Sequence, residues 1–541
     1  MGAAGVDGGA DVQDAHALQA LVVIGAAVIG FSWLATRLRV AAPIVLLLGA
    51  VPLALVPWTS HVLLAPEVVL LLFLPALLYW ESLTTSLREI RANLRVVVMS
   101  SVLLVLATAG TVAVVGHALG LSWPVAWVLG AVVAPTDATA VAAVAGRMPR
   151  RILTMLRAES LINDGTALVV FALAVAVATG AEQFSWPSAL GAFALSYVGG
   201  AAAGLAVAWL AIRGRRLMAN NPLLENGISV LTPFAAYLLA EEVHASGVLA
   251  VVVCGLTLSQ IGPRTIGART RVQARAFWQV TTFLLNGTLF VLVGLQLRGA
   301  VEGLTSVSPA GAAVAALLVA LTVIGTRLVW VNTTPYVIRA LDRRPQQRLR
   351  RLNARQRFPS GWAGFRGGVS LAAALAVPLS VPGRDLVVII TFGVILVTLL
   401  VQGLTLPAVL RWARLPDDGA EAREQALAER AAAEAGLAAL PDVADRLGVA
   451  PAVAERVRVD YEEHIHTLDA PPSAHEDPAI VAERADHQDY ERLRLALLAD
   501  KRRALLRLRD AREIDDIVLR RVQAQLDAEE VRLTTRSAEI E

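Results

Sequence analysis

From residue 17 to about residue 413 the chain is one apolar stretch after another, separated by short polar loops. A run of about 20 apolar residues is the length of a helix that crosses a bilayer. Hydrocarbon offers backbone N–H and C=O groups no water to bond, so only helices or closed barrels can span it. Barrel strands would read as alternating segments of about ten residues, a pattern these continuous runs do not have. The sequence therefore predicts an all-α, multi-spanning membrane protein with about 13 transmembrane helices. The spans are expected near 17–36, 40–57, 62–80, 96–116, 123–146, 153–179, 187–212, 224–241, 245–260, 276–297, 309–338, 361–380 and 386–410. A mean hydropathy of +0.59, with 56% hydrophobic and 17% charged residues, excludes an ordinary soluble enzyme.

The arginines test this division. Arg37 and Arg39, Arg88 to Arg95, Arg147 to Arg151, Arg213 to Arg216, Arg264 to Arg271, Arg339 to Arg357, and Arg411 with Arg414 fall in one set of loops. The alternate loops carry only Arg298 and Arg384. By the positive-inside rule, residues 1–16 form an extracytoplasmic N-terminus, 17–413 the membrane domain, and 414–541 a cytoplasmic tail. The expected location is the plasma membrane, and membrane lipid is the first partner; no nucleic-acid partner is implied. The tail is charged and predicted helical over 420–467 and 478–533, with Pro471, Pro472 and Pro478 marking a linker. It reads equally as a regulatory or dimer-supporting element and as a plain solvated helix. Gly200 and Gly204, four residues apart inside a span, predict close helix packing. Glu67 and Glu225 flank apolar runs and read as interfacial.

Within this apolar frame the stretch Glu159-Ser160-Leu161-Ile162-Asn163-Asp164 stands out. A carboxylate at the bilayer centre costs about 2.5–3.5 kcal/mol even on a lenient scale, so it is a functional candidate. Ser160 and Asp164 share one helical face, as do Glu159 and Asn163. Two other spans carry breaks. One reads Ala134-Pro135-Thr136-Asp137-Ala138, and the other Gly361-Trp362-Ala363-Gly364-Phe365-Arg366-Gly367-Gly368. Interrupted spans in two parts of a chain point to a transporter's mid-membrane site and fit an inverted repeat. Counting residues along the spans brings Asp137 and Asp164 to similar depth, with the hydroxyls of Thr136, Ser160 and Thr166, the Asn163 amide and carbonyls freed by Pro135 nearby.

Such hard oxygen ligands suit a small hard cation as cargo far better than a transition metal. Asp164, Thr136, Ser160 and Asp137 are the expected ligands of the transported ion. Cys254 is the only cysteine, so no intrachain disulfide or multi-thiolate site can form, and no cofactor is expected. A buried carboxylate is stable with a proton or a cation and costly with neither. Obligatory exchange of one for the other follows, with a steep dependence on pH. A channel, or a transporter-derived sensor signalling through its tail, is the competing class. A channel needs rings of carbonyls or acids, whereas these acids occur singly on different spans.

Glu159-Ser160-x-x-Asn163-Asp164, Ala134-Pro135-Thr136-Asp137, Gly364-Phe365-Arg366-Gly367, and Leu74-Pro75 with Tyr79-Trp80-Glu81 together resemble the monovalent cation/proton antiporters of the sodium/proton exchanger family, over residues 20–412. The resemblance implies crossed broken helices and a homodimer in which a mobile six-helix core moves against a dimerisation domain. It implies that the cargo is sodium first, with potassium or lithium as alternatives, and that Asp164 binds the ion or proton, with Thr136 and Ser160 supplying oxygens and Asp137 shaping the crossing. It implies that Asn163 marks the electroneutral branch, that Glu81 stands at the edge of the site, and that Arg366 pairs with Glu159. Alanine at 138 departs from the proline common there in the family.

Overall fold

The computed structural model describes residues 7–38, 40–54, 69–92, 94–144, 148–218, 221–304, 307–341, 353–415, 420–469 and scattered positions between 493 and 531. Among the described residues all regular structure is helical, and there is no strand. The helices are α1 (Asp7–Leu38), α2 (Ala42–Leu53), α3 (Leu74–Thr84, entered through a π turn at Val69–Phe73), α4 (Leu87–Ala92), α5 (Leu94–Ala118), α6 (Trp123–Val133) and α7 (Ala138–Val144). Then follow α8 (Arg150–Ala178), α9 (Trp186–Leu217), α10 (Pro222–Glu242), α11 (Gly247–Thr265), α12 (Ala268–Glu302) and α13 (Pro309–Leu341). The membrane part closes with α14 (Ala354–Trp362), α15 (Gly368–Leu375), α16 (Arg384–Val397) and, after a π turn at Thr398–Gln402, α17 (Gly403–Ala413).

Eight described helices are long and apolar enough to cross a membrane, or nine if the pair α6 and α7, bent by 41°, is one span. Three shorter apolar helices lie at Ala42–Leu53, Leu71–Thr84 and Gly247–Gly262. Each expected span overlaps a described helix or helix pair, although residues 55–68, including Glu67, lie outside the described residues. The first helix starts at Asp7, ahead of the expected start of its span at 17.

Burial divides the membrane helices into packed groups. Val112, Leu129, Val319, Ala374 and Ile390 join α5, α6, α13, α15 and α16 in one core. Tyr79, Val207, Ala236, Val251 and Trp278 join α3, α9, α10, α11 and α12 in another. In the second core, a side chain at Gly200 would strike the Ser246 carbonyl and one at Gly204 the Ala250 backbone. The two glycines are thus what lets α9 and α11 approach backbone to backbone. Glu225 is buried in the first turn of α10.

The chain forms two compact units, Met1–Asp417 and Asp418–Glu541. In the second, the stretch expected as one helix over 420–467 is two, α18 (Ala420–Leu447) and α19 (Pro451–Asp469). The break falls at Gly448, whose φ of 62° favours glycine. Gly436 leaves room for the Tyr461 ring, which holds the hairpin together. The prolines at 471, 472 and 478 lie outside the described residues.

Candidate functional site

Both breaks expected from the sequence are present, and they meet. The helix α6 stops at Val133 because Pro135 cannot donate the next helical hydrogen bond, and α7 begins only at Ala138. The helix α14 stops at Trp362, and α15 begins at Gly368. The backbone N–H of Asp137 in one break donates to the carbonyl of Phe365 in the other, at 2.8 Å. The two interrupted spans are tied at that point.

Unwound backbone among buried helices is stable only when its freed groups find partners. Arg366 supplies several. Its Nε donates to the Val133 carbonyl at 2.9 Å, its Nη2 to the Ala134 carbonyl at 3.4 Å, and its Nη1 to the Gly364 carbonyl. Its own N–H donates to Thr398 Oγ1, at 3.2 Å, in the second π turn. A cation thus sits where α6 ends, the negative end of that helix. Asp137 does the converse at the start of α7. Its Oδ1 accepts from the N–H of Thr139 at 2.9 Å, from the N–H of Ala140 at 3.0 Å, and from the Thr139 hydroxyl at 2.5 Å. The other oxygen, Oδ2, lies so close to Gly367 that any side chain there would displace it.

This geometry corrects one expectation. Arg366 was expected to pair with Glu159, but the partner of Glu159 is Arg327 of α13. Arg327 Nη1 lies 2.5 Å from Glu159 Oε1, with the two side chains 1% and 9% exposed. Arg327 also donates from Nε and Nη2 to the Ser360 carbonyl, at 3.3 and 3.2 Å. The pair joins α8, α13 and α14. Arg366 is committed instead to the carbonyls of the breaks.

Beside the crossing lies a cavity of about 50 Å³. A water needs roughly 10–15 Å³ by this measure, so the space admits a small cation with a little water. It is lined by Pro135, Thr136, Asp137, Thr139, Ser160 and Asp164, by Phe73, Leu74, Leu77, Leu78, Glu81, Asn286 and Leu289, and by Gly367, Gly368, Val369, Ser370 and Ala372. Five expected residues therefore line one space: Asp164, Asp137, Thr136, Ser160 and Glu81. The sixth, Asn163, stands behind them. Its amide meets Thr136 Oγ1 at 3.2 Å. With the amide turned so that its nitrogen donates to the carbonyls of Ser101 (3.1 Å) and Glu159 (3.2 Å), its oxygen accepts the Thr136 hydroxyl proton. That arrangement leaves the lone pairs of the Thr136 hydroxyl free.

Ser160 stitches α8 to the first break. Its hydroxyl donates to the Thr136 carbonyl at 2.7 Å and lies 3.4 Å from the N–H of Ala138. The departure at 138 thus has a consequence, because a proline there has no N–H to offer. Asp164 is different from all of these. It is 4% exposed, and its Oδ1 has no hydrogen-bonding partner. Glu81 Oε1 and the Ser370 hydroxyl are buried and unpartnered in the same cavity lining. Ser370 and Asn286 were not singled out in the sequence. The lining is thus a cradle of carboxylates and hydroxyls.

Comparison with known proteins bears on the family and the fold. A family profile described as "Sodium/hydrogen exchanger, transmembrane" matches residues 23–412. An uncharacterized Na(+)/H(+) exchanger of Mycobacterium tuberculosis is 49% identical over 95% of this chain and 96% of its own. The Na(+)/H(+) antiporter ApNhaP of Aphanothece halophytica is 32% identical over 70% of this chain and 71% of its own. In fold, the sodium proton antiporter MjNhaP1 of Methanocaldococcus jannaschii matches with a TM-score of 0.58 at 19% identity, covering 74% of this chain and all of that one.

Proposed function

Because the chain belongs to the sodium/hydrogen exchanger family, a family of membrane transporters and not of enzymes, we propose that it exchanges sodium for protons one for one, by alternating access, with Asp164 as the carrier of either ion. The observation that carries this reading is the buried, unpartnered carboxylate oxygen of Asp164 in a cavity lined also by Thr136, Asp137, Ser160 and Glu81. A buried carboxylate in that state needs a proton or a cation. Sodium bound there draws on Asp164, the lone pairs of Thr136 and Ser160, and the free side of Asp137, with Glu81 facing them. These are hard oxygen ligands, as a small alkali cation requires. When the cation leaves, a proton takes its place, so the carrier crosses the membrane neutralised in either form. The empty, charged form is held back by its desolvation cost, and this makes the two ions exchange instead of leak.

Asn163 supports the stoichiometry. It is a neutral amide beside Asp164, occupied with Thr136 and backbone carbonyls, and so contributes no second proton. One sodium then replaces one proton, and no net charge moves. The N-terminus is placed outside and the tail in the cytoplasm by the arginine pattern, in a plasma-membrane homodimer of the kind the family resemblance implies. The test is transport in everted vesicles. Adding sodium to vesicles holding a preset proton gradient dissipates that gradient, with lithium and potassium run alongside to rank the cargo. A steady sodium-driven current would contradict the one-for-one exchange, and sodium flux independent of the proton gradient would contradict antiport altogether.

A further inference from the structure

Two arginines in the first turn of α14 are treated very differently. Arg355 lies over the Trp412 ring, 5.2 Å from its centroid, and donates from Nε at 2.6 Å and also from Nη2 to the Trp412 carbonyl near the end of α17. Arg357 is more deeply placed, 8% exposed, with its guanidinium 5.3 Å from the centroid of the Tyr336 ring. Its Nε and Nη1 meet no acceptor. A buried guanidinium satisfied only by a ring face retains most of its desolvation cost, and two N–H donors without an acceptor add to it. A ligand with anionic oxygens removes both costs, and the flat fork of arginine matches phosphate.

The surroundings say which phosphate. Tyr336 is 59% exposed and Trp412 is 51% exposed, and Phe358 stacks on Trp362 at 5.7 Å between centroids and meets Trp412 edge-on at 5.6 Å. Half-exposed aromatic rings at the ends of membrane helices mark the headgroup layer. Arg339 precedes Tyr336's helix end, and the sequence from 343 to 357 carries Arg343, Arg344, Arg348, Arg350 and Arg351 besides this pair. Such a density of cations next to a membrane raises the local concentration of anionic lipid. We infer that Arg357, in the first turn of α14 and against Tyr336 of α13, is a binding site for the phosphate of an anionic phospholipid. The lipid, drawn in by the neighbouring arginines, completes the coordination that the protein leaves open and fastens α14, the first half of the broken span, to the membrane surface.

The experiment follows thermal unfolding of the purified full-length protein in detergent, with phosphatidylglycerol, phosphatidylcholine or inorganic phosphate added. Phosphatidylglycerol raises the unfolding temperature of the wild type and phosphatidylcholine does not. R357K, which keeps the charge but loses the fork, loses most of that shift, and R357A loses it entirely. R298Q, at an exposed arginine paired with Glu302, retains it. D342N, which removes the one acid in the segment 342–352, also retains it. An equal response of the wild type to both lipids overturns the inference, and so does a full shift in R357K and R357A. A shift reproduced by inorganic phosphate makes this a free-anion site and overturns the lipid assignment. A loss of stability in D342N matching that of R357A, with no lipid response in either, makes Asp342 the partner. The wild-type comparison stands even if R357A fails to fold.

Discussion

Glu159 and Asp164 lie five residues apart on one helix, both almost fully buried, and their surroundings are opposite. Glu159 meets the guanidinium of Arg327 at 2.5 Å, and that guanidinium is further held by the Ser360 carbonyl. Asp164 leaves an oxygen with no partner, facing a cavity. A buried charge that is fully satisfied has one low-energy state and serves as a fastener. A buried charge left open has two, with a proton or with a cation, and can exchange them. The difference between structure and transport along α8 is therefore the presence or absence of a single counter-ion.

Breaking the fastener gives the largest effect on stability. R327A leaves the Glu159 charge buried alone, which costs about 3–5 kcal/mol. Thermal unfolding in detergent should show a severe loss, and the double variant E159Q/R327M should recover most of it, since removing both charges removes the penalty. A double variant no more stable than R327A would mean that the pair does more than neutralise itself. The next effect is on transport. G367A pushes the Asp137 carboxylate away from its place between the two broken spans. We expect a loss of about a hundredfold in sodium-driven proton flux, roughly 2.7 kcal/mol, with the protein still folded.

Ser370 sharpens the comparison at smaller scale. Its hydroxyl is buried and unpartnered in the same cavity, like the Asp164 oxygen but without charge. S370A should raise the half-saturating sodium concentration by about three- to tenfold, the value of about one hydrogen-bonding group, and leave stability unchanged or slightly higher. The smallest effect is expected of A138P. Proline suits the first position of α7 and removes only the long contact to Ser160. Sodium affinity should change by less than about threefold, and a larger change would show that the Ala138 N–H sets the position of the Ser160 oxygen.

Much of this was legible in the sequence because it depends on local rules. Apolar run length gave the helices, and Pro135 and the glycines around Arg366 gave the breaks. Helical spacing put Ser160 and Asp164 on one face. The partner of Glu159 was not legible in that way, since Arg327 lies 168 residues away in the chain and only packing brings it near. A signal existed all the same: Arg327 interrupts the apolar run 309–338, as Asp164 interrupts its own, and an intramembrane charge requires a partner or a function. Arg366 was assigned to the wrong oxygens for a related reason. Sequence shows a cation among glycines, but not that the ends of broken helices present carbonyls in place of a carboxylate. Ser370 and Asn286 are ordinary polar residues in their spans, and only the cavity distinguishes them.

The central contrast, one open acid beside one closed one, is tested most directly by counting protons. Sodium is added to the purified protein in weakly buffered detergent solution, and the protons released are measured alongside the sodium bound. The wild type should release about one proton per sodium on the acidic side of its working range. There the half-saturating sodium concentration should rise by up to about tenfold for each unit fall in pH, the slope of one-for-one competition. D164N should keep its fold, bind sodium far more weakly and release no proton, while E159Q should release as many as the wild type. If D164N still bound sodium and released a proton as the wild type does, Asp164 would not be the exchanging group.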